Sequence, residues 1–141
     1  MVDHKGTANI KTKRLILRKF KLTDVEDMFN NWASDSEVTK YLSWLPHDNI
    51  KETKKTIKTW IKEYENPKNY NWAIVPENYG KVIGSITVVG ISNEKIRCEI
   101  GYCLSKSYWN QGITTEALKA IIDYLIKVIQ LKIKDTYIRH P

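Results

Sequence analysis

The stretch Cys98–Leu118, "CEIGYCLSKSYWNQGITTEAL", passes from an alternating, half-apolar run through a polar turn rich in aromatics into residues with helix periodicity. The apolar positions Leu118, Ile121, Ile122, Leu125, Ile126 and Ile129 form a broad stripe, so a helix is expected over residues 114–129. Gly112 falls just before its first turn, after Asn110 and Gln111 and ahead of Ile113, Thr114 and Thr115. A helix N-terminus leaves backbone N–H groups unpaired and carries the positive end of the helix dipole, so a strand, a turn with a close-approach glycine and a helix can form a phosphate site. Thr114 or Thr115 can add a hydroxyl. The alternative is that Gly112 merely permits the turn, because a single glycine ahead of a helix is common.

Upstream, residues 70–75 ("YNWAIV"), 81–91 ("KVIGSITVVGI") and 95–104 ("KIRCEIGYCL") read as three successive strands joined by the turn material "PENYG" and "SNE". Such spacing predicts an antiparallel meander. Downstream, "KIKDTYIRH" reads as a last strand, which a right-handed crossover through the helix sets parallel to the third meander strand. Mixed sheets of this kind open a cleft where the parallel pair diverges.

The first half supplies a strand and two main helices. In "TKRLILRKF", residues 12–20, Leu15 and Leu17 mark one firmly buried face. "LTDVEDMFNNW" offers Thr23 as N-cap with Glu26 three residues on, and Val25, Met28, Phe29 and Trp32 recur at helical spacing. A short helix over Ser36–Leu42 is expected next. Asp48 or Asn49 then caps a longer helix, with Ile50, Ile57, Ile61 and Tyr64 on its apolar face, ended by Pro67. The order is β-α-α-β-β-β-α-β: a mixed-sheet α+β chain forming one domain over residues 1–141.

Composition narrows the function. With 42% hydrophobic and 28% charged residues, the chain is neither disordered nor collagenous. No apolar run approaches the ~20 residues of a bilayer span, and "MVDHKGTANIKTKR" lacks the apolar centre of a signal peptide, so a cytoplasmic protein without membrane contact is expected. The net charge of +7 suits an anionic partner. The lysines are spread along the chain without an aromatic-basic recognition motif, and no nucleic-acid partner is expected. Cys98 and Cys103 lie an odd number of residues apart in one strand, on opposite faces, which disfavours a disulfide and shared metal ligation. His4, His47 and His140 have no ligand spacing, so no metal is expected.

"TKRLILRKF", "LTDVEDMF" and "CEIGYCLSKSYWNQGITTEAL", with the spacing between them, resemble the GNAT family of N-acetyltransferases, in particular its ribosomal-protein N-terminal acetyltransferase branch. The resemblance implies an acyl-CoA N-acyltransferase fold and acetyl-CoA as acetyl donor. In the family, a loop of Gln/Arg, two variable residues, Gly, one variable residue and Gly/Ala holds the cofactor's diphosphate. Aligned on Gly112, it places Trp109 first and Thr114 last, both departures from the general pattern, and assigns the cradle to Trp109, Asn110, Gln111, Gly112, Ile113, Thr114 and Thr115. It also implies that the backbone of Tyr102, Cys103 and Leu104 pairs with the pantetheine arm. Cys103 then lies near the thioester by position, but the family transfers acetyl directly, and no base is spaced to activate this thiol.

Amine attack on a thioester needs a proton acceptor, and Glu99, between Cys98 and Ile100 on the cleft strand, is the expected general base. The expected reaction is acetyl transfer to a primary amine, a protein N-terminus among the options; the alternative is a non-catalytic acyl-CoA-binding domain. Family domains usually continue into a further helix and strands, whereas this sequence stops at "YIRHP", leaving Tyr137 and His140 as the nearby candidates for the acid role. An uncovered sheet edge then favours a homo-oligomer. The acceptor is expected against the early helices and "YLSWLPHDN", with Tyr41, Trp44, Leu45 and His47.

Overall fold

A computed structural model describes residues 3–40, 42, 44–92, 97–128 and 135–139. Among them one six-stranded sheet runs in chain order, from β1 (Ile10–Lys11) and β2 (Leu15–Arg18) through β3 (Tyr70–Pro76), β4 (Gly84–Ser92) and β5 (Arg97–Leu104) to β6 (Asp135–Arg139). Every neighbouring pair is antiparallel except β5 and β6, which are parallel, as expected for a meander followed by a helical crossover. The short β1, which pairs Ile10 with Leu17, is an addition to the expected order.

The helices are α1 (Val25–Met28), continued by a π turn at Phe29–Ala33, α2 (Ser36–Thr39), α3 (Ile50–Glu63) and α4 (Ile113–Lys127). β3 is buried along its whole length because it is covered on both faces. On one face Leu15, Leu17, Trp72, Ile74, Ile86 and Ile100 pack against Ile113, Ala117, Ile121 and Leu125 of α4. On the other, Ala73, Val75 and Cys103 meet Met28, Trp32 and Ile57. Cys98 and Cys103 fall on opposite faces and are not joined by a disulfide.

Several local expectations are corrected. The first helical segment begins two residues early: Lys21 is its N-cap, and the Asp24 carboxylate accepts from the Lys21 amide and from Arg18 at 2.8 Å. A buried aspartate with an arginine partner displaces the Thr23–Glu26 capping box. The buried face of α3 is Thr53 and Ile57 with half-buried Trp60 and Tyr64, whereas Ile50 and Ile61 are exposed. The Tyr64 hydroxyl sets that face: it accepts from Phe20 N and donates to Asn71 O, tying the helix end to β3. Asn49 caps α3 through Glu52 N at 3.2 Å. Ile126 is exposed beyond the packed stripe of α4, and Ile129 lies outside the described residues.

β4 starts at Gly84, where any side chain would run into the Cys103 carbonyl, and carries a bulge between Val88 and Gly90. The bulge lies opposite Ile100 and Glu99, and bulges bend a strand and increase its local twist.

Candidate active site

The site grows from the end of β5. Ser105 N donates to Ile83 O at 2.8 Å, which makes Ile83 and Ser105 a closely bonded antiparallel pair. Two residues back, Cys103 turns its amide and carbonyl towards Ser85 of β4, while those of Tyr102 and Leu104 point the other way. There the register with β6 runs from Arg97–Asp135 to Gly101–Arg139, and β5 continues for three further residues. The Leu104 carbonyl accepts from the Trp109 indole at 2.8 Å, folding the turn back over the strand end.

The turn into α4 contains two left-handed residues, Asn110 at φ 61° and Gly112 at φ 74°. Asparagine tolerates this region better than most residues, and glycine enters it without steric cost. The first hydrogen bond of the helix runs from Glu116 N to Gly112 O at 3.0 Å, leaving the amides of Ile113, Thr114 and Thr115 without an intrahelical acceptor. Loop and strand end enclose a cavity of about 380 Å³ lined by Tyr102, Leu104 and residues 109–115, with Tyr108 and Val38 of α2. Every residue expected at the cofactor lines it except Cys103.

Cys103 instead packs among Phe20, Met28 and Trp32 on the opposite face, and burial pushes its thiol up to about 12. It is therefore a protonated packing group at neutral pH. Glu99 shares this face of β5, because the flanking Cys98 and Ile100 point into the α4-side core. Glu99 is half-buried, and a Cβ built on Gly101, its neighbour along this face, meets nothing within 4 Å. The face that Glu99 shares is thus open over Gly101.

One part of the site was invisible as a motif. Arg14, in the turn before β2, donates from Nε to Glu116 Oε1 at 2.7 Å and from its guanidinium to Gln111 O at 3.0 Å. Glu116 also accepts from the Arg14 amide at 2.9 Å and from the Thr12 hydroxyl. Burial pushes the Glu116 carboxyl up, but these hydrogen bonds and the Arg14 charge outweigh it and hold the group below its ordinary value. Val38 and Tyr108 were likewise unannounced; helical spacing alone does not tell a core valine from a cavity wall.

The expected acceptor loop is only partly gathered. His47 packs against Trp44 with tilted rings, centroids 5.0 Å apart, and shares a hydrogen bond with Thr53, while Leu45 is 84% exposed. Tyr41 and His140 lie outside the described residues, and Tyr137 has its backbone in register with Glu99.

The meander with its parallel last strand, the glycine-started helix and the cavity at the end of β5 belong to the acyl-CoA N-acyltransferase class of fold. The model of the GNAT acetyltransferase domain matches residues 14–139, and the chain belongs to that family. It is similar to the N-acetyltransferase p20 of Bacillus licheniformis, with 33% identity over 80% of this chain and 63% of p20. It is also similar to YoaA of Bacillus subtilis, 28% identical over 82% of this chain and 64% of YoaA. The chain thus spans less than two thirds of the length of these two relatives. A GNAT-family acetyltransferase from Bacillus anthracis superposes with a TM-score of 0.73 at 27% identity, covering 88% of this chain and 69% of that one. The ribosomal α-N-protein acetyltransferase RimL, solved with coenzyme A, shares the fold at a TM-score of 0.76 and 21% identity over 93% of this chain and 73% of RimL.

Proposed function

We infer that this protein is an acetyl-CoA-dependent N-acetyltransferase acting on a primary amine. The observation carrying this reading is the α4 N-terminus, whose amides at 113–115 lack an intrahelical acceptor at a cavity that continues along the end of β5. A diphosphate fits there: the backbone donors and the helix dipole favour negative charge, and Gly112 keeps the approach clear of a side chain. Trp109, Asn110 and Gln111 shape the loop, Thr114 and Thr115 add hydroxyls, and Tyr102 and Leu104 line the path of an extended arm. Bound there, acetyl-CoA supplies a thioester activated for acyl transfer.

Glu99 is the general base. It accepts the proton of the acceptor amine, directly or through water, as the nitrogen becomes nucleophilic. Open space over Gly101 lets an amine approach on this face, opposite the α4-side core. A protein N-terminal amine is the acceptor this reading favours, as RimL, a fold relative, is an α-N-protein acetyltransferase. β6 is an outer strand of the described sheet, and an edge of this kind supports self-association. Calorimetry with acetyl-CoA tests the cofactor assignment, and absence of binding at near-millimolar concentration overturns it. Binding without thiol release across a panel of amines reduces the chain to a non-catalytic acyl-CoA-binding domain.

A further inference from the structure

A second cavity, of about 450 Å³, lies on the far side of the 109–115 loop. Tyr108, Gln111 and Ile113 line both cavities, so the two are separated only by the loop itself. Its other walls come from two turns brought together by β2–β3 pairing: Lys13 and Arg14 before β2, and Glu77 and Asn78 after β3. Glu77 N donates to Arg14 O at 2.8 Å, which locks the turns side by side.

The chemistry of this rim is specific. Tyr108 packs beside Tyr79 with ring centroids 6.1 Å apart, and Tyr79 is 42% exposed. Lys81 holds its ammonium 5.8 Å from the Tyr79 ring centroid. Both carboxylates of the region are already neutralised, Glu77 by Lys11 at 3.2 Å and Glu116 by Arg14 at 2.7 Å. Lys13 of the lining and Lys81, which reaches the region only through Tyr79, have no described carboxylate partner, so this side of the loop carries excess positive charge beside the half-exposed Tyr108 and exposed Tyr79 rings. Aromatic faces stack purines, lysine ammoniums bind phosphate, and Asn78 offers hydrogen bonds to base or ribose.

We propose that this cavity holds the adenosine 3′-phosphate end of the coenzyme, with Lys13 binding the 3′-phosphate and Tyr108 and Tyr79 forming the platform for the base. The proposal rests on the acetyl-CoA reading above. A diphosphate on the 113–115 amides leaves the attached nucleoside one loop-width from this rim, and a pantetheine chain running along β5 leaves in the other direction. Coenzyme A is therefore read at both ends of its diphosphate, with Lys13 giving selectivity for the 3′-phosphorylated form.

The test is calorimetry with acetyl-CoA and with its 3′-dephospho analogue on wild type, Lys13→Glu and Lys58→Glu, the last altering charge equally on α3. Wild type is expected to favour acetyl-CoA by roughly tenfold, the value of one charge-assisted contact. Lys13→Glu removes that preference and leaves dephospho-CoA affinity nearly unchanged, while Lys58→Glu retains it. Adenosine 3′,5′-bisphosphate competes with acetyl-CoA on wild type and loses potency on Lys13→Glu. Equal affinity of wild type for the two coenzymes, or equal weakening of both by Lys13→Glu, overturns the proposal while leaving the acetyl-CoA reading intact. If wild type binds neither coenzyme, both readings fall.

Discussion

Arg14 and Glu116 stand 102 positions apart in the chain and meet at 2.7 Å, joining the turn before β2 to the first turn of α4. The same guanidinium reaches the Gln111 carbonyl and lies 3.6 Å from where a Cβ on Gly112 would sit. The loop's shape is thus braced from across the sheet as well as by its own backbone.

The brace is pH-sensitive. The Glu116 carboxyl is held below its ordinary value of 4.5, so its contribution is fully present above that pH and is lost as pH falls through the depressed value. Glu116→Gln should therefore lower the melting temperature at pH 7 and show a shallower acid-side decline than wild type below about pH 4.5. Parallel melting curves of the two proteins between pH 7 and pH 3 contradict this assignment.

Gly112 at φ 74° offers a second handle. Valine there costs about 1–3 kcal/mol of backbone strain and puts a branched side chain at the mouth of the cradle. Gly112→Val should cost at least tenfold in acetyl-CoA affinity by calorimetry while circular dichroism still reports a folded helix. Unchanged affinity would show that the diphosphate does not use this loop.

Glu99→Gln separates chemistry from binding. Loss of a general base typically costs ~10²-fold or more in turnover. The expected result is that loss in a thiol-release assay, with acetyl-CoA affinity within about twofold of wild type. Turnover equal to wild type removes Glu99 from the base role.

Cys103 should be chemically silent. With its thiol pushed up to about 12 by burial, the thiolate is scarce at pH 8, and alkylation by iodoacetamide should be far slower than for an unfolded control. Cys103→Ala should lose about 1 kcal/mol of stability through lost packing and keep its turnover. A large fall in turnover at unchanged acetyl-CoA affinity argues for a covalent role.

Much was legible locally. The strands of β3–β5, the α4 helix and the Asn49 cap follow from apolar periodicity and turn chemistry, whereas Gly112 became a candidate anion site only with the motif around it, because a single glycine ahead of a helix is common. Helix faces were less legible. Ile50 and Ile61 fit the periodicity of α3, yet Thr53 and Trp60 hold the buried side because Tyr64 is pinned between Phe20 and Asn71. Thr23 and Glu26 had capping-box spacing, but the Arg18–Asp24 pair starts the segment two residues earlier.

By itself the sequence determined the element order, the antiparallel meander with its parallel last strand, and the loop that precedes α4, because these depend on residues near one another in the chain. Tertiary structure alone decided the rest: Arg14 gripping Glu116, Tyr108 shared between two cavities, and Cys103 turned away from the one it was expected to line. The physical reason is the two-residue period of a strand and the register of its partners, which assign each side chain to a face and each carbonyl to a side; a bond spanning 102 residues has no periodicity from which to read it.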